Sequence, residues 1–416
     1  MRIGMFTDYY IPVKTGVSTS VESFREQLTA LGHEVYVFAP SDGIRVKEED
    51  DHIIRFPAVK GLFVENYMTS VFFPPLQIRK IEKLNLDIIH FHDPSQIGLL
   101  GVHIALKNNI PLVSTYHTDL NEYVKSYPVM GPGFMVLSAL APLITGGGFK
   151  DAKLIKPSRN RLAMSRQALK QSMTLIHNYC DLVIAPSKKM EMQLKRWKTK
   201  APIEILPTGV DKITTSNLKI SERKKQYGIT DDDLVVMFTG RLGKEKNVEL
   251  LIKAFAKARK ALPNLKLLLV GDFKHSDELL NLATELEVAD HLIKTGYIEN
   301  KDVGSILGCA DLFALPSLTD TQNLALNEAA QAGLPLLAVD PLINDVLKDG
   351  LNGYITKPTI SDFADGIVNI LSDPDKAKKM GKLSAVRADA YNERSQATKL
   401  ANLYQAILAN HTGPLS

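Results

Sequence analysis

The sequence predicts an α/β protein of two doubly wound domains facing each other across a cleft. Three observations carry this. The 416 residues are more than one ordinary hydrophobic core organises, since single cores stop growing at about 250–300 residues. Short apolar runs alternate with helical patterns, the rhythm of βαβ units and parallel sheets. The same scheme then starts again near Leu234. The expected division is an N-terminal domain over 1–206, a C-terminal domain over 207–394, and a final helix in 395–416 that packs back on the first domain.

In the first half Arg2–Phe6 reads as a strand, Val17–Leu31 as a helix that Gly32 ends, and His33–Ala39 as the next strand. Leu86–Phe91, Leu112–Tyr116 and Leu182–Ala185 are further short apolar runs bounded by turns. In the second half Leu234–Phe238 is a strand and Asn247–Ala261 a helix with apolar residues at helical spacing. Lys266–Val270, His291–Lys294, Leu312–Leu315 and Leu336–Ala338 follow as strands, and the linker is expected near Leu206–Ser216.

Composition is that of a globular protein, and two cysteines, Cys180 and Cys309, argue against a disulfide framework or a cysteine-based metal site. The chain opens on a strand and not on a secretory signal, so a reducing, cytoplasmic setting is expected. The charge is uneven: residues 1–200 carry 25 Lys/Arg against 18 Asp/Glu, the rest 25 against 28. Residues 150–200 alone hold 13 basic side chains, among them Lys150, Lys153, Lys156, Arg159 and Arg161, against 3 acidic ones. Such a cluster suits an anionic surface. A nucleic-acid partner is not expected, because the aromatic interleaving of a single-strand binder is missing. Just before it, Val129–Phe149 is apolar and free of charge, with Val129, Phe134, Met135 and Leu137 as its contact candidates. Internal prolines and glycines make it a poor spanning helix. Its adjacency to the cations favours a peripheral membrane contact, with an internal hairpin lining an acceptor cleft as the alternative.

Five stretches can carry chemistry. Gly16 follows the first strand and opens a helix, so it is either a turn glycine or a place where backbone N–H groups approach a phosphate. His117 ends a strand, on the sheet edge where such folds bind ligands. There it is a hydrogen-bonded structural residue or a donor to a sugar hydroxyl or pyrophosphate. His90 and His92 alternate along a strand and face one side, but no third ligand stands at a fixed spacing, so a structural role is preferred to a metal site. Thr239-Gly240-Arg241 with Lys246 brackets a glycine turn before a helix, where a guanidinium and an ammonium group can clamp a diphosphate. Asn247 is expected to cap that helix. Finally, Asp320 falls in a polar loop after an apolar strand, and Glu328 lies on the helix that Gly333 and Pro335 end.

Taken in order, these stretches with Pro207-Thr208-Gly209-Val210-Asp211 and Leu269-Val270-Gly271-Asp272 resemble the family-4 retaining glycosyltransferases, whose two-Rossmann-domain architecture is called GT-B. The resemblance covers nearly the whole chain. It implies a nucleotide-sugar donor held mainly by the second domain and an acceptor held by the first. It further implies that Arg241 and Lys246 hold the donor diphosphate and that Glu328 binds the ribose. Asp320 would contact sugar hydroxyls, the backbone at Gln322, Asn323 and Leu324 would line the sugar and phosphate site, and His117 would touch the sugar. Gly16, Thr208, Gly209 and Gly240 complete the implied donor site. Asp320 stands where the family usually has glutamate, and Thr208 where asparagine is common. The implied reaction retains the anomeric configuration and needs neither a metal nor another cofactor. Met1–Pro12 and Thr115–Asp119 look most like bacterial lipid glycosyltransferases that make glucosyl-diacylglycerol. The expectation is therefore transfer of glucose from UDP-glucose to a membrane lipid such as 1,2-diacylglycerol, at the inner face of the cell membrane. Phosphatidylinositol, a polyprenyl-linked glycan or a soluble sugar are alternative acceptors, and a non-catalytic binding protein the alternative class.

Overall fold

The computed structural model describes residues 1–13, 15–46, 50–61, 68–70, 72–119, 160–211, 213, 217–271, 276–343 and 345–411. It divides into two compact units, Met1–Gly209 with Glu393–Ser416, and Val210–Asn392.

The first unit is built on a parallel sheet. Its strands are β1 (Arg2–Phe6), β2 (Glu34–Pro40) and β3 (Ile53–Phe56), and, past a small antiparallel ribbon of β4 (Ala58–Lys60) and β5 (Met68–Ser70), β6 (Ile88–Phe91), β7 (Leu112–Thr115), β8 (Leu182–Ala185) and β9 (Ile203–Ile205). Their spatial order is β3-β2-β1-β6-β7-β8-β9. Every residue of β6, β7 and β8 is buried, because helices cover both faces, and this is why the strands read as continuous apolar runs and do not alternate. On one face Phe6 stacks on Phe38 at 4.2 Å between ring centroids, and Phe56 and Phe91 join them with Ile97, Leu100, Leu169 and Met173. On the other, Ile3, Met5 and Val37 meet Val21, Phe24 and Leu28 of the helix Gly16–Ala30, together with Ala397, Leu400 and Tyr404 of the last helix, Glu393–Asn410. The C-terminal helix is thus part of the first unit's core.

The second unit repeats the plan with β10 (Leu234–Thr239), β11 (Leu265–Val270), β12 (Leu292–Gly296), β13 (Leu312–Leu315), β14 (Leu336–Ala338) and β15 (Gly353–Ile355), in the order β12-β11-β10-β13-β14-β15, all parallel. Phe238, Phe255, Phe313 and Phe363 fill its core.

The predicted central strands lie within one or two residues of the observed ones. Missing from the sequence reading are β3, β4, β5, β9 and β15, three- and four-residue strands with partly exposed residues. Pairing with a neighbour makes such pieces strands, and local apolarity alone does not announce them. Strand order reverses between β1 and β6 in the first sheet and between β10 and β13 in the second. Ligands of open α/β sheets bind outside the carboxyl ends of the strands at such reversals, so the residues just after β1, β6, β10 and β13 define where to look.

Candidate active site

In the second unit, β10 runs into Gly240, whose φ of +146° places it where a side chain is rarely tolerated. Its N–H donates to Val270 O at 2.9 Å. A Cβ on Gly271 would fall 2.0 Å from Gly240 O, so two glycines let the ends of β10 and β11 close on each other. The chain then turns through the 3₁₀ segment Lys244–Lys246. Arg241 Nη2 pairs with Glu245 Oε1 at 2.7 Å, and its side chain stays 45% exposed. Lys246 Nζ pairs with Asp320 Oδ1. Asp320 is buried, and burial pushes its carboxyl up. The Lys246 ammonium beside it, with hydrogen bonds from Ser317 and Asn323, outweighs burial and holds it below the usual carboxylate range.

The loops after β10 and β13 are stapled at two further points, Thr319 Oγ1 donating to Glu245 O at 2.8 Å and Asn247 Nδ2 to Pro316 O at 3.2 Å. Within the second loop Asn323 Nδ2 donates to Asp320 Oδ2 at 3.2 Å. Asn323 also caps the helix Leu324–Gln331, accepting from Leu326 N at 2.9 Å. The expected capping by Asn247 is corrected here. It precedes the helix Val248–Ala258 with φ +56°, outside the extended backbone of a cap, and makes no capping bond; its side-chain N–H donates to Pro316 O instead. Glu328, on the second turn of Leu324–Gln331, is half-buried, and its carboxyl makes no hydrogen bond or ion pair among the described residues. Burial pushes its carboxyl up to about 7. The second unit thus places two cations, each paired with a carboxylate, a capped helix N-terminus and a lone carboxyl at one switch point, a set suited to a phosphate- and hydroxyl-bearing ligand.

The corresponding edge of the first unit is of another kind. Thr15 caps Gly16–Ala30 in a reciprocal box with Ser18, and a Cβ on Gly16 would meet nothing within 4 Å, so the helix start is open. Tyr10 Oη bonds Glu22, and Arg25 holds the same carboxylate, its Nη2 at 2.6 Å. Arg55 lies 5.2 Å over the Tyr10 ring and donates to Ile11 O at 2.7 Å, fixing the loop after β1. Asp8 Oδ2 accepts from Ile97 N at 2.9 Å, and Asp93 Oδ2 accepts from Thr7 Oγ1 and Asp8 N at 3.0 and 2.9 Å. Burial, then the neighbouring Asp93, drives the Asp8 carboxyl well above the ordinary range. His92, just after β6, has its Nδ1 2.9 Å from Nε2 of His117, just after β7. His90 bonds Tyr404 Oη and Thr115 Oγ1 at 2.6 and 2.7 Å. Burial holds His90 and His117 down to about 3, and His92 well below its ordinary value.

Arg241, Lys246, Asp320, Gln322, Asn323, Leu324 and Glu328 therefore gather on neighbouring loops and one helix of the second unit. Gly16 and His117 lie at the strand ends of the first. Thr208 and Gly209 fall at the end of the first unit, not in the second. The buried Thr208 hydroxyl lies 2.6 Å from Ser20 Oγ on the helix that Gly16 opens. Val129, Phe134, Met135, Leu137, Lys150, Lys153, Lys156, Arg159 and Asp272 lie outside the described residues. Arg161 is exposed at the start of the helix Arg161–His177. Sequence reasoning missed Glu245, Asn323 as a cap, and the His92–His117 bond. An asparagine just before an apolar helical run is a readable capping signal, whereas the two others depend on packing. Among the described residues no group of three or more His, Cys, Asp or Glu side chains is placed to hold a metal ion.

Two family models match this chain, "Glycosyltransferase Family 4" over residues 14–212 and "Glycosyl transferases group 1" over residues 219–385. The alpha-monoglucosyldiacylglycerol synthase of Acholeplasma laidlawii is 28% identical over 433 aligned positions, which take in 100% of both chains. The synthase of the same name from Streptococcus pneumoniae is 29% identical over 85% of this chain and 75% of its own. Among solved structures, Anabaena HepE in complex with UDP-glucose shares the fold at a TM-score of 0.70 with 18% identity, over 98% of this chain and 100% of that one. With one family model on each half and a fold of two Rossmann-like units, the chain belongs to the GT-B glycosyltransferases of family 4.

Proposed function

We propose that this chain transfers glucose from UDP-glucose to a membrane diacylglycerol, with retention of configuration and without a metal. The observation that carries the reading is the joining of the loops after β10 and β13, which brings Arg241, Lys246 and Asp320 to one switch point with Glu328 on the adjoining helix. Arg241 and Lys246 neutralise charge on the departing diphosphate, the part a divalent cation plays in other transferases. Glu328 accepts from the ribose hydroxyls. Asp320 holds the Lys246 ammonium in place and, with the capped start of Leu324–Gln331, borders the sugar and phosphate. His117 contacts the sugar. The acceptor hydroxyl attacks the anomeric carbon on the face the diphosphate leaves, and a leaving-group oxygen takes its proton. The bond from sugar to phosphate breaks as the glycosidic bond forms, so an α-linked donor yields an α-linked product.

The glucose and the lipid acceptor are supported by the two relatives named for alpha-monoglucosyldiacylglycerol synthesis, one of them matched along its whole length. A lipid surface at the inner face of the membrane gains support from the helix Pro75–Lys83. It leaves Leu76 77% exposed, with Phe72 56% exposed just before it, beside Arg79, Lys80 and Lys83. An apolar edge rimmed by cations suits an anionic bilayer surface. Among the described residues no helix is long and apolar enough to cross a membrane.

The test is transfer of radiolabel from UDP-glucose, UDP-galactose and GDP-mannose to anionic vesicles containing diacylglycerol or phosphatidylinositol, with a chelator present. The expected product is α-glucosyl-diacylglycerol, undiminished by the chelator. Transfer to phosphatidylinositol instead, a β-linked product or a strict metal requirement would each overturn the corresponding part of the reading.

A further inference from the structure

Of the three packed histidines of the first unit, the proposed reaction uses only His117. His90 has both ring nitrogens engaged, at 2.6 Å from Tyr404 Oη and 2.7 Å from Thr115 Oγ1, so its plane is fixed. His92 lies on it at 4.1 Å between ring centroids with 29° between the planes, and meets His117 edge to edge, with centroids 5.2 Å apart and 24° between the planes. His92 Nδ1 and His117 Nε2 are 2.9 Å apart. Burial keeps the imidazoles neutral, so each ring carries one N–H, and one of the two facing nitrogens donates while the other accepts.

Two arrangements satisfy that bond. If His117 Nε2–H donates, the only hydrogen of His92 sits on its own Nε2. If His92 Nδ1–H donates, His92 Nε2 carries a bare lone pair. His92 is 2% exposed, and its Nε2 has no hydrogen-bond partner among the described residues. A buried N–H without an acceptor is disfavoured more strongly than a buried lone pair without a donor. The second arrangement wins, and with it the proton of His117 belongs on Nδ1.

We infer that His92 is a positioning residue for glycosyl transfer: its Nδ1–H donates to His117 Nε2 and so locks His117 as the Nδ1–H tautomer, a hydrogen-bond donor to a ligand oxygen. The tautomer follows from the geometry of the first unit alone, while its part in transfer rests on the proposed contact between His117 and the sugar. Neutral imidazole in water prefers the Nε2–H form, so without His92 the ring returns towards a form that offers the ligand a lone pair. This is a tautomer set by the hydrogen bond at the other nitrogen.

Long-range ¹H–¹⁵N spectra of the full chain, labelled in histidine and assigned with His117→Asn, read the tautomer directly. The wild type is expected to show Nδ1 protonated and Nε2 as a bare acceptor. His92→Phe keeps the ring and the stack without the N–H. It is expected to shift His117 towards Nε2–H and to lower kcat about 10-fold or more, as loss of one transition-state donor does, with KM for UDP-glucose little changed. His92→Asn places an amide N–H near the Nδ1 position and is expected to restore both tautomer and rate. A wild-type His117 protonated on Nε2 would overturn the inference, as would a slow His92→Phe enzyme whose His117 tautomer is unchanged. A wild type with the Nδ1–H form but no transfer from any nucleotide sugar would instead sink the donor reading, and with it the role of His92 in transfer, while the bond itself stood.

Discussion

The two sheets share a topology at their switch points and differ in electrostatics. In and just after β6 and β7 the first unit buries three imidazoles that burial keeps neutral, and after β1 an Asp8 carboxyl driven up by burial and by Asp93, while its Glu22–Arg25 ion pair stands on the helix Gly16–Ala30. After β10 and β13 the second unit keeps its charges and pairs them, Arg241 with Glu245 and Lys246 with Asp320. The same sheet edge thus serves two chemistries. An ammonium has three donors and a guanidinium five, so each cation can take a phosphate oxygen while its carboxylate still holds it in place. Neutral donors and acceptors suit uncharged hydroxyls and do not attract a second anion. On the proposed function, the charged edge takes the diphosphate and the neutral edge the sugar and the acceptor.

Removing Lys246 is the hardest blow to that contrast. Lys246→Ala takes away a cation that neutralises the leaving group and strands Asp320, which is 8% exposed, without its partner. Expected is a fall in kcat/KM of about 10²–10³-fold and a loss of about 3–5 kcal/mol in urea unfolding, the usual result of breaking a buried pair. The double variant Lys246→Met with Asp320→Leu removes both charges. It is expected to regain most of the stability and none of the activity, which separates the fold's use of the pair from the reaction's. Wild-type transfer by Lys246→Ala would remove the charged edge from the mechanism.

Glu328 is the one carboxyl of the charged edge that the apo protein holds like the neutral edge, with its proton retained up to about 7 against 4.5 for an ordinary glutamate. Between those values the unfolded chain has lost a proton that the folded chain keeps. Stability from this group therefore falls as pH rises through that window and is lowest above it. Glu328→Gln abolishes the penalty. It should be more stable than the wild type at pH 8 by about 2–3 kcal/mol, with the gap closing as pH falls towards 4.5. KM for UDP-glucose should rise about 10-fold, as loss of a hydrogen bond to a charged group does. Thermal melts at three pH values and donor kinetics measure both. A variant no more stable at high pH would mean that Glu328 is already ionised in the folded protein.

Legibility followed the range of the interactions. The central strands could be read because strands buried on both faces must be apolar throughout, as Leu182–Ala185 and Leu312–Leu315 are. Arg241, Lys246, Asp320 and Glu328 could be picked out because glycine turns, a polar loop and a helix end mark the carboxyl edge of a sheet. Their pairing could not, since Lys246 and Asp320 stand 74 positions apart and only the neighbouring of β10 and β13 brings their loops together. For the same reason the sequence offers Arg241 as a clamp without Glu245, and His92 as a structural histidine without His117. An asparagine before a helix is a fair capping signal, but at Asn247 the backbone is left-handed and the side chain turns to Pro316 O, 69 positions away, which no local signal announces.

The mildest test lies on the neutral edge. Tyr404 comes from the last helix, 314 positions from His90, and its hydroxyl is 2.6 Å from His90 Nδ1. The residue is fully buried. Tyr404→Phe keeps the ring in the core and leaves one nitrogen of His90 without its partner. Expected is a loss of about 1–2 kcal/mol, the cost of a buried polar group losing one neutral hydrogen bond, and no change in the affinity for UDP. Both readings come from urea unfolding and calorimetric titration on the same sample. The variant also reaches the histidine stack without touching His92 or His117. A drop in kcat here, with the His117 tautomer shifted, would mean that the fixed plane of His90 is needed to hold His92. An unchanged kcat would confine that task to the His92–His117 bond. Weaker UDP binding would break the contrast between the two edges, since it would tie a neutral group of the first unit to the charged ligand of the second.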